Sequence, residues 1–308
     1  MFRPKDFIET GEQLIFAVVA DGLEAGRILC FLRYAMLDGA WRKVDSDTAN
    51  AHLAAHYPQY LHYSARLDAR LHAVPETAVI RHFHPRHSLR GLLEVEPSDP
   101  VLADLHSLCT LFRRRGLDMD QFGVTGSLQV GMQKHSSDID LVCYDREIFH
   151  RARNVVQWLI AEDHCQVLDD ADWLEAYRRR ACDFALDEYI WHELRKYNKA
   201  MINGRKFDLT LLAPMLEGET REYRKLGAIE LQARISDDFH AFDYPAVFSI
   251  DHPQADSIVC YTATYCGQAQ TGEVVAVAGL LEVDDTGRRR VVVGSNREAL
   301  GEYIKVLR

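Results

Sequence analysis

Long apolar runs are missing from this sequence. No stretch approaches the ~20 consecutive apolar residues that a membrane span requires. The opening segment, Met1-Phe2-Arg3-Pro4-Lys5-Asp6, lacks the apolar centre of a signal peptide. No membrane partner and a cytoplasmic location are therefore expected. Paired cysteines are missing as well. Seven are scattered along the chain and none forms Cys-x-x-Cys, which fits the same compartment. Cys30, Cys109, Cys143 and Cys260 fall inside apolar runs and read as small core residues. Positive charge is scarce: 36 Lys and Arg stand against 46 Asp and Glu, a formal charge of −10. A long nucleic acid is disfavoured on that balance, because phosphate neutralisation supplies most of such affinity. A local basic patch is still compatible with it, so RNA is not excluded. Neither Gly-x-x-x-x-Gly-Lys-Ser/Thr nor Gly-x-Gly-x-x-Gly occurs, which leaves P-loop and Rossmann readings without support. His192-Glu193-Leu194-Arg195-Lys196 begins like a zinc-protease helix but has Lys where the second His belongs.

What remains is an ordinary globular chain of 308 residues, 47% hydrophobic and 27% charged. That length suits two or three domains of roughly 100–150 residues. Three parts are expected in an α+β protein: an N-terminal α+β unit over 1–95, a core over 96–215 built on a central mixed β-sheet with flanking helices, and a C-terminal β-rich unit over 216–308. In the first part, Leu14 to Val19 and Arg27 to Tyr34 read as paired strands, and Asp47-Thr48-Ala49-Asn50 opens an Ala-rich helix. Asp99 and Pro100 predict a capped helix start, with Leu102, Leu105, Cys109 and Phe112 on one face and Arg113 to Arg115 before Gly116 at its end. Strands are expected at Phe122 to Thr125, Ile139 to Tyr144 and Lys206 to Leu212, the last stopped by Pro214, with a long helical region over Ala171 to Met201. Further strands at Glu273 to Leu281, Arg290 to Val293 and Tyr303 to Leu307 suggest a small barrel-like C-terminal unit.

The chemistry concentrates between Gly126 and Leu141. Alternate residues of a strand share a face, so Asp138 and Asp140 point together while Ile139 and Leu141 point into the core. Two carboxylates side by side are costly to keep ionised. A divalent cation relieves that cost, and magnesium favours sites built from one or two carboxylates plus substrate phosphates. Asp208 sits in an apolar strand between Phe207 and Leu209, where a charge needs a purpose. Were its strand beside that of Asp138 and Asp140, three carboxylates would converge and could hold two metals. Gly126 lets backbone approach a phosphate, and the N–H groups and the Ser127 hydroxyl can donate to it.

These residues resemble the nucleotidyltransferase superfamily that includes the β-type DNA polymerases. Its pattern is Gly-Ser, a short loop, Asp-x-Asp and a third Asp on a later strand. Asp138 follows Ser127 by eleven positions, as in the small bacterial and archaeal members, and the match covers 121 to 212. The resemblance implies Asp138, Asp140 and Asp208 as catalytic ligands of two Mg2+ ions, with Mn2+ able to replace them, and Gly126 and Ser127 as triphosphate binders. Many members carry Arg three residues after the Ser; here Val130 stands there, and Lys134 is the nearby candidate for the γ-phosphate. The expected reaction moves a nucleoside monophosphate from a nucleoside triphosphate to an acceptor hydroxyl of a small molecule or protein. RNA 3′-end addition is the rival acceptor, and a nucleotide-sensing or RNA-binding module without turnover is the rival class. The segments Gly26 to Tyr34 and Gly301 to Ile304 are also similar to an uncharacterised, mostly archaeal group of predicted nucleotidyltransferases.

Three other groups stand out in the sequence. Arg195 and Lys199 are four apart and, on a helix, would share a face that reaches triphosphate oxygens or solvent. Trp173, Tyr177, Phe184 and Trp191 recur near helical spacing and read as core. His82-x-His84 with His87, beside Arg81 and Arg86, reads as a basic surface strand, since no cysteine or carboxylate lies close in sequence to complete a zinc site.

Overall fold

A computed structural model describes residues 1–65, 67, 69–180, 182, 184–213, 222–295 and 301–308. The chain divides between Val142 and Cys143 into two compact units. Both are α+β, with helices flanking sheets.

The first unit opens with β1 (Phe7–Thr10), β2 (Leu14–Val18), β3 (Arg27–Leu37) and β4 (Ala40–Lys43). Helix α1 (Ser46–His56) follows, then β5 (Leu61–Ser64), β6 (Ala69–Pro75), β7 (Val79–Phe83), α2 (Pro85–Glu94) and α3 (Pro100–Arg114). Strands β8 (Phe122–Thr125) and β9 (Ile139–Cys143) close it, the division falling one residue before the end of β9. The sheet order is β5-β6-β3-β2-β1-β7, with β4 on β3, and its ladders are antiparallel.

Alternation along these strands separates two apolar faces. Ile8, Phe16 and Ile28 pack with Leu53 of α1 in one core cluster. Phe7 and Ile15, from the other parity, form a second cluster with Tyr34, Phe83 and Val130; the shift in the β2–β3 register at Ile15 and Phe16 puts Tyr34 on this face. Each fully buried side chain contributes about 1.5–3 kcal/mol. Asp45 caps α1 by accepting from Thr48 N at 2.8 Å, two residues before the start expected from sequence. In α3, Asp99 accepts from Leu102 N at 2.9 Å and Leu102, Leu105, Cys109 and Phe112 are buried. Pro85, the first residue of α2, lies so close to β8 that a Cβ at Gly123 would stand 2.6 Å from the proline Cβ.

The second unit contains α4 (Arg146–Ala161), α5 (Asp170–Arg180), α6 (Leu186–Leu194), and the hairpin β10 (Lys199–Ile202) and β11 (Arg205–Leu211). It continues with β12 (Tyr223–Asp237), β13 (Ala246–Asp251), β14 (Ser257–Cys260), β15 (Val274–Asp284), β16 (Arg289–Val293) and β17 (Tyr303–Val306). The β10–β11 turn is made by Asn203 and Gly204, both at positive φ, as a two-residue hairpin loop requires. Leu212 N donates to Cys143 O at 2.8 Å, which sets β11 beside the terminal residue of β9 that belongs to this unit.

The structure departs from the sequence pattern in two places. The helical region foreseen over 171–201 is two helices followed by a strand. Helix α6 stops at Leu194, Tyr197 takes a left-handed φ of 50°, and Lys199 opens β10. Arg195 and Lys199 therefore do not share a helix face.

The small C-terminal barrel is also overturned. The strands form a six-stranded sheet of order β12-β13-β14-β16-β15-β17. The long β12 pairs β15 from Tyr223 to Arg234 and passes to β13 only at Arg234 to Asp237. Those two ladders are successive along β12 and share Arg234 alone, so they do not flank one stretch of strand as a closed cylinder demands. The sheet is mixed, since β14 and β16 run parallel. Pro214 lies outside the described residues.

Candidate functional site

Strand β8 is buried along its whole length and delivers the chain to Gly126 at a left-handed φ of 70°. The carboxylate of Asp140 stands directly over this glycine: a Cβ there would lie 2.5 Å from Asp140 Oδ2. Glycine is thus required twice, by its dihedral and by the carboxylate above it. Ser127 follows, half-buried, and leads into a 3-10 turn over Leu128–Val130. Gly131 at φ 70° reverses the chain, and Met132 N closes the loop on Ser127 O at 2.9 Å. At the far side Lys134 and Ser137 form a tight turn, Lys134 N donating to Ser137 Oγ at 2.9 Å and Ser137 N to Lys134 O at 2.8 Å. The Lys134 side chain is exposed. Asp138 is exposed and Asp140 half-buried, while Ile139 and Leu141 are buried, the alternation expected of a strand edge entering the core.

The loop is anchored from behind by two residues that carry no obvious chemistry in the sequence. Gln129 is buried and its Nε2 donates to Phe83 O at 2.8 Å. Thr125 Oγ1 lies 3.1 Å from Gln129 Oε1 and 3.0 Å from Lys5 O. Val130 plugs the apolar cluster of Phe7, Ile15, Tyr34 and Phe83. The absence of arginine at this position thus has a packing cause: the side chain at 130 points into the N-terminal sheet. Burial pushes the Tyr34 phenol up, and the nearby Asp140 charge adds to that.

In the second unit, Asp208 is half-buried on β11 between buried Phe207 and Leu209, with Lys199 as its cross-strand partner. Lys199 Nζ pairs with Glu193 Oε2 at 2.7 Å. Glu193 is buried and also binds Lys196 Nζ, which reaches Thr264 O at 3.1 Å. Burial alone would raise the Glu193 carboxyl, but the two ammonium groups and their hydrogen bonds outweigh it and hold it at about 2. Arg195 pairs with Glu273 and lies 4.4 Å from the centre of the Trp191 ring. Of the three cations expected to meet a triphosphate, Lys134 projects into solvent and the other two are held by carboxylates.

A second cluster was not legible beforehand. Asp6 is buried, and its Oδ2 lies 2.8 Å from His82 Nε2 and 3.7 Å from His84 Nδ1. The ligand atoms of all three residues lie within 4.8 Å of one another, a group that could hold a metal ion. Burial pushes Asp6 up to about 6 and both imidazoles down. The carboxylate that the sequence failed to offer comes from 76 residues upstream of His82. The only sequence signal for it was a charged residue immediately before an apolar strand.

The fold and these two clusters define an α+β protein with the Asp140 carboxylate over a Gly-Ser turn and a separate Asp-His-His group capable of binding a metal. No helix among the described residues is long and apolar enough to cross a membrane. No family model matches the chain, and no solved structure does. The chain is 31% identical to the uncharacterized protein MJ1086 of Methanocaldococcus jannaschii, over an alignment of 338 positions that covers 99% of each. It belongs to the same family as that archaeal protein.

Proposed function

We propose that this chain is a magnesium-dependent nucleotidyltransferase. It transfers a nucleoside monophosphate from a nucleoside triphosphate to an acceptor hydroxyl, on a small molecule or protein, and releases pyrophosphate. The observation that carries the reading is the Asp140 carboxylate seated over the left-handed Gly126, with Ser127 next in the chain. A turn with no side chain, an adjacent hydroxyl and an acidic group facing it suits a phosphate held through a divalent cation. Asp138 and Asp140 would hold the magnesium that accompanies the triphosphate, and Asp208 would complete the set. When bound, magnesium neutralises charge developing on the phosphoryl oxygens and the leaving pyrophosphate. The chain's own groups do the rest. Gly126 N–H, Ser127 N–H and the Ser127 hydroxyl bind phosphate oxygens. Lys134 supplies a solvent-side cation to the γ-phosphate, in place of the arginine that Val130 replaces. Asp208 accepts the proton of the attacking hydroxyl. The buried, apolar role of Val130 also supports a second reading, a module that binds a triphosphate without turnover.

The test uses α-labelled triphosphates, magnesium and cell extract with the purified chain. Label should appear in one acceptor fraction with the wild type. Asp208→Asn should lose transfer by about 10²-fold or more, the scale of a removed general base, with triphosphate binding kept. Binding without label in any fraction selects the second reading. No calorimetric binding of any of the four triphosphates would sink both.

A further inference from the structure

The sequence offers His82-x-His84 no nearby carboxylate; the fold supplies one. Strands β1 and β7 pair antiparallel with Phe7 opposite Phe83 and Ile8 opposite His82. Continuing that register by one residue places Asp6 opposite His84, and His82, two residues away on its strand, shares the same face. The three donors are therefore held by a ladder rather than by a mobile loop.

We propose that Asp6, His82 and His84 bind one divalent transition-metal ion of the zinc class, separate from any magnesium at the Gly126 turn. Two imidazole nitrogens and one carboxylate oxygen form a ligand set that zinc takes in three-ligand sites. Bonds of about 2.0–2.2 Å in tetrahedral geometry put ligand atoms ~3.3 Å apart. The Asp6 oxygen lies 2.8 and 3.7 Å from the two nitrogens, on either side of that separation, and all three ligand atoms lie within 4.8 Å of one another. The ion replaces the proton that now joins His82 Nε2 to Asp6. His84 is partly exposed, which leaves a path of entry. His87 lies one helical turn on, its ring 5.2 Å from that of His84, and is a candidate fourth ligand.

The position of the ion gives it a consequence. Lys5, next to Asp6, and Phe83, between the two histidines, lend the carbonyls that hold Thr125 and Gln129. Those two residues anchor the loop that begins at Gly126. The ion thus fixes the backbone from which the Gly-Ser turn hangs, and is a structural metal rather than one at the reacting atoms. Its binding does not rest on the nucleotidyltransferase reading.

The experiment strips the full chain with a chelator, then titrates it with zinc chloride in a calorimeter and counts bound metal by elemental analysis. One zinc per chain is expected, with cobalt giving visible ligand-field absorption of a nitrogen- and oxygen-ligated site. His82→Ala and His84→Gln should each weaken binding by 10-fold or more. Asp140→Asn should bind zinc as the wild type does, which separates this site from the Gly126 turn. His84→Gln, at a partly exposed position, serves as the folded control where Asp6→Asn does not accumulate. Failure of the stripped wild type to bind zinc, undiminished binding by His84→Gln, or preference for magnesium over zinc would each overturn the proposal. Triphosphate binding by Asp140→Asn is a separate readout, so failure of the metal site and failure of the proposed activity are distinguishable.

Discussion

Gly126 carries two demands at one position, and a single methyl group tests both. Alanine at 126 must adopt φ near 70° and must also displace the Asp140 carboxylate from 2.5 Å. The left-handed conformation alone costs about 1–2 kcal/mol. We expect Gly126→Ala to lose unfolding free energy of that order in urea denaturation and to lose triphosphate binding beyond what the stability change explains. Alanine binding triphosphate as glycine does would show that the turn is not the phosphate cradle. The Gly-Ser and Asp-x-Asp residues were legible in sequence because their signal is local: a turn residue, a strand alternation and a fixed spacing. Gln129 and Thr125 were not, because nothing about an isolated Gln or Thr announces a carbonyl 46 or 120 residues away. Asp6 was missed for the same reason, its partners lying at the other end of a strand pairing.

At the scale of elements, the end of α6 and the start of β10 are joined by one buried carboxylate. Glu193 holds Lys196 and Lys199 together across the break at Tyr197. Its folded carboxyl, at about 2, lies below its ordinary value of 4.5. The contribution of this group to stability is therefore complete above pH 4.5 and is lost as pH falls toward 2. Acid unfolding followed by circular dichroism should show the second unit weakening in that window. Glu193→Gln should flatten the dependence and cost about 3–5 kcal/mol at neutral pH, since Lys196 would be left buried without its counter-charge. An unchanged acid profile in Glu193→Gln would remove the assignment. The helix-to-strand switch itself was not readable from periodicity. Trp191, Arg195 and Lys199 continue a helical spacing, and only the left-handed Tyr197 ends it. The C-terminal strands show the same limit in reverse: Glu273 to Leu281 and Arg290 to Val293 were evident from β-branched runs, whereas the pairing of β12 first with β15 and then with β13 is decided by long-range register.

At the scale of the whole molecule, the α+β character follows from mixed patterns spread along the chain, and it holds in both units. The kinship with MJ1086 runs the full length of both proteins, so both units belong to the family's common design. In the first unit, the N-terminal sheet is more than an appendage. With Lys5 just before β1, it supplies Phe83 and the Val130 socket, the footing of the Gly-Ser turn. It also supplies Tyr34, whose buried phenol feels the charge of Asp140. That neighbour makes the chain its own optical gauge. Without a metal ion at Asp140, its negative charge resists phenolate formation. A cation arriving beside Asp140 reverses the push, so near-ultraviolet absorbance should show Tyr34 ionising at lower pH when magnesium and a triphosphate are added. Tyr34→Phe should erase that component of the titration, and a curve indifferent to magnesium would mean that no ion settles at Asp140.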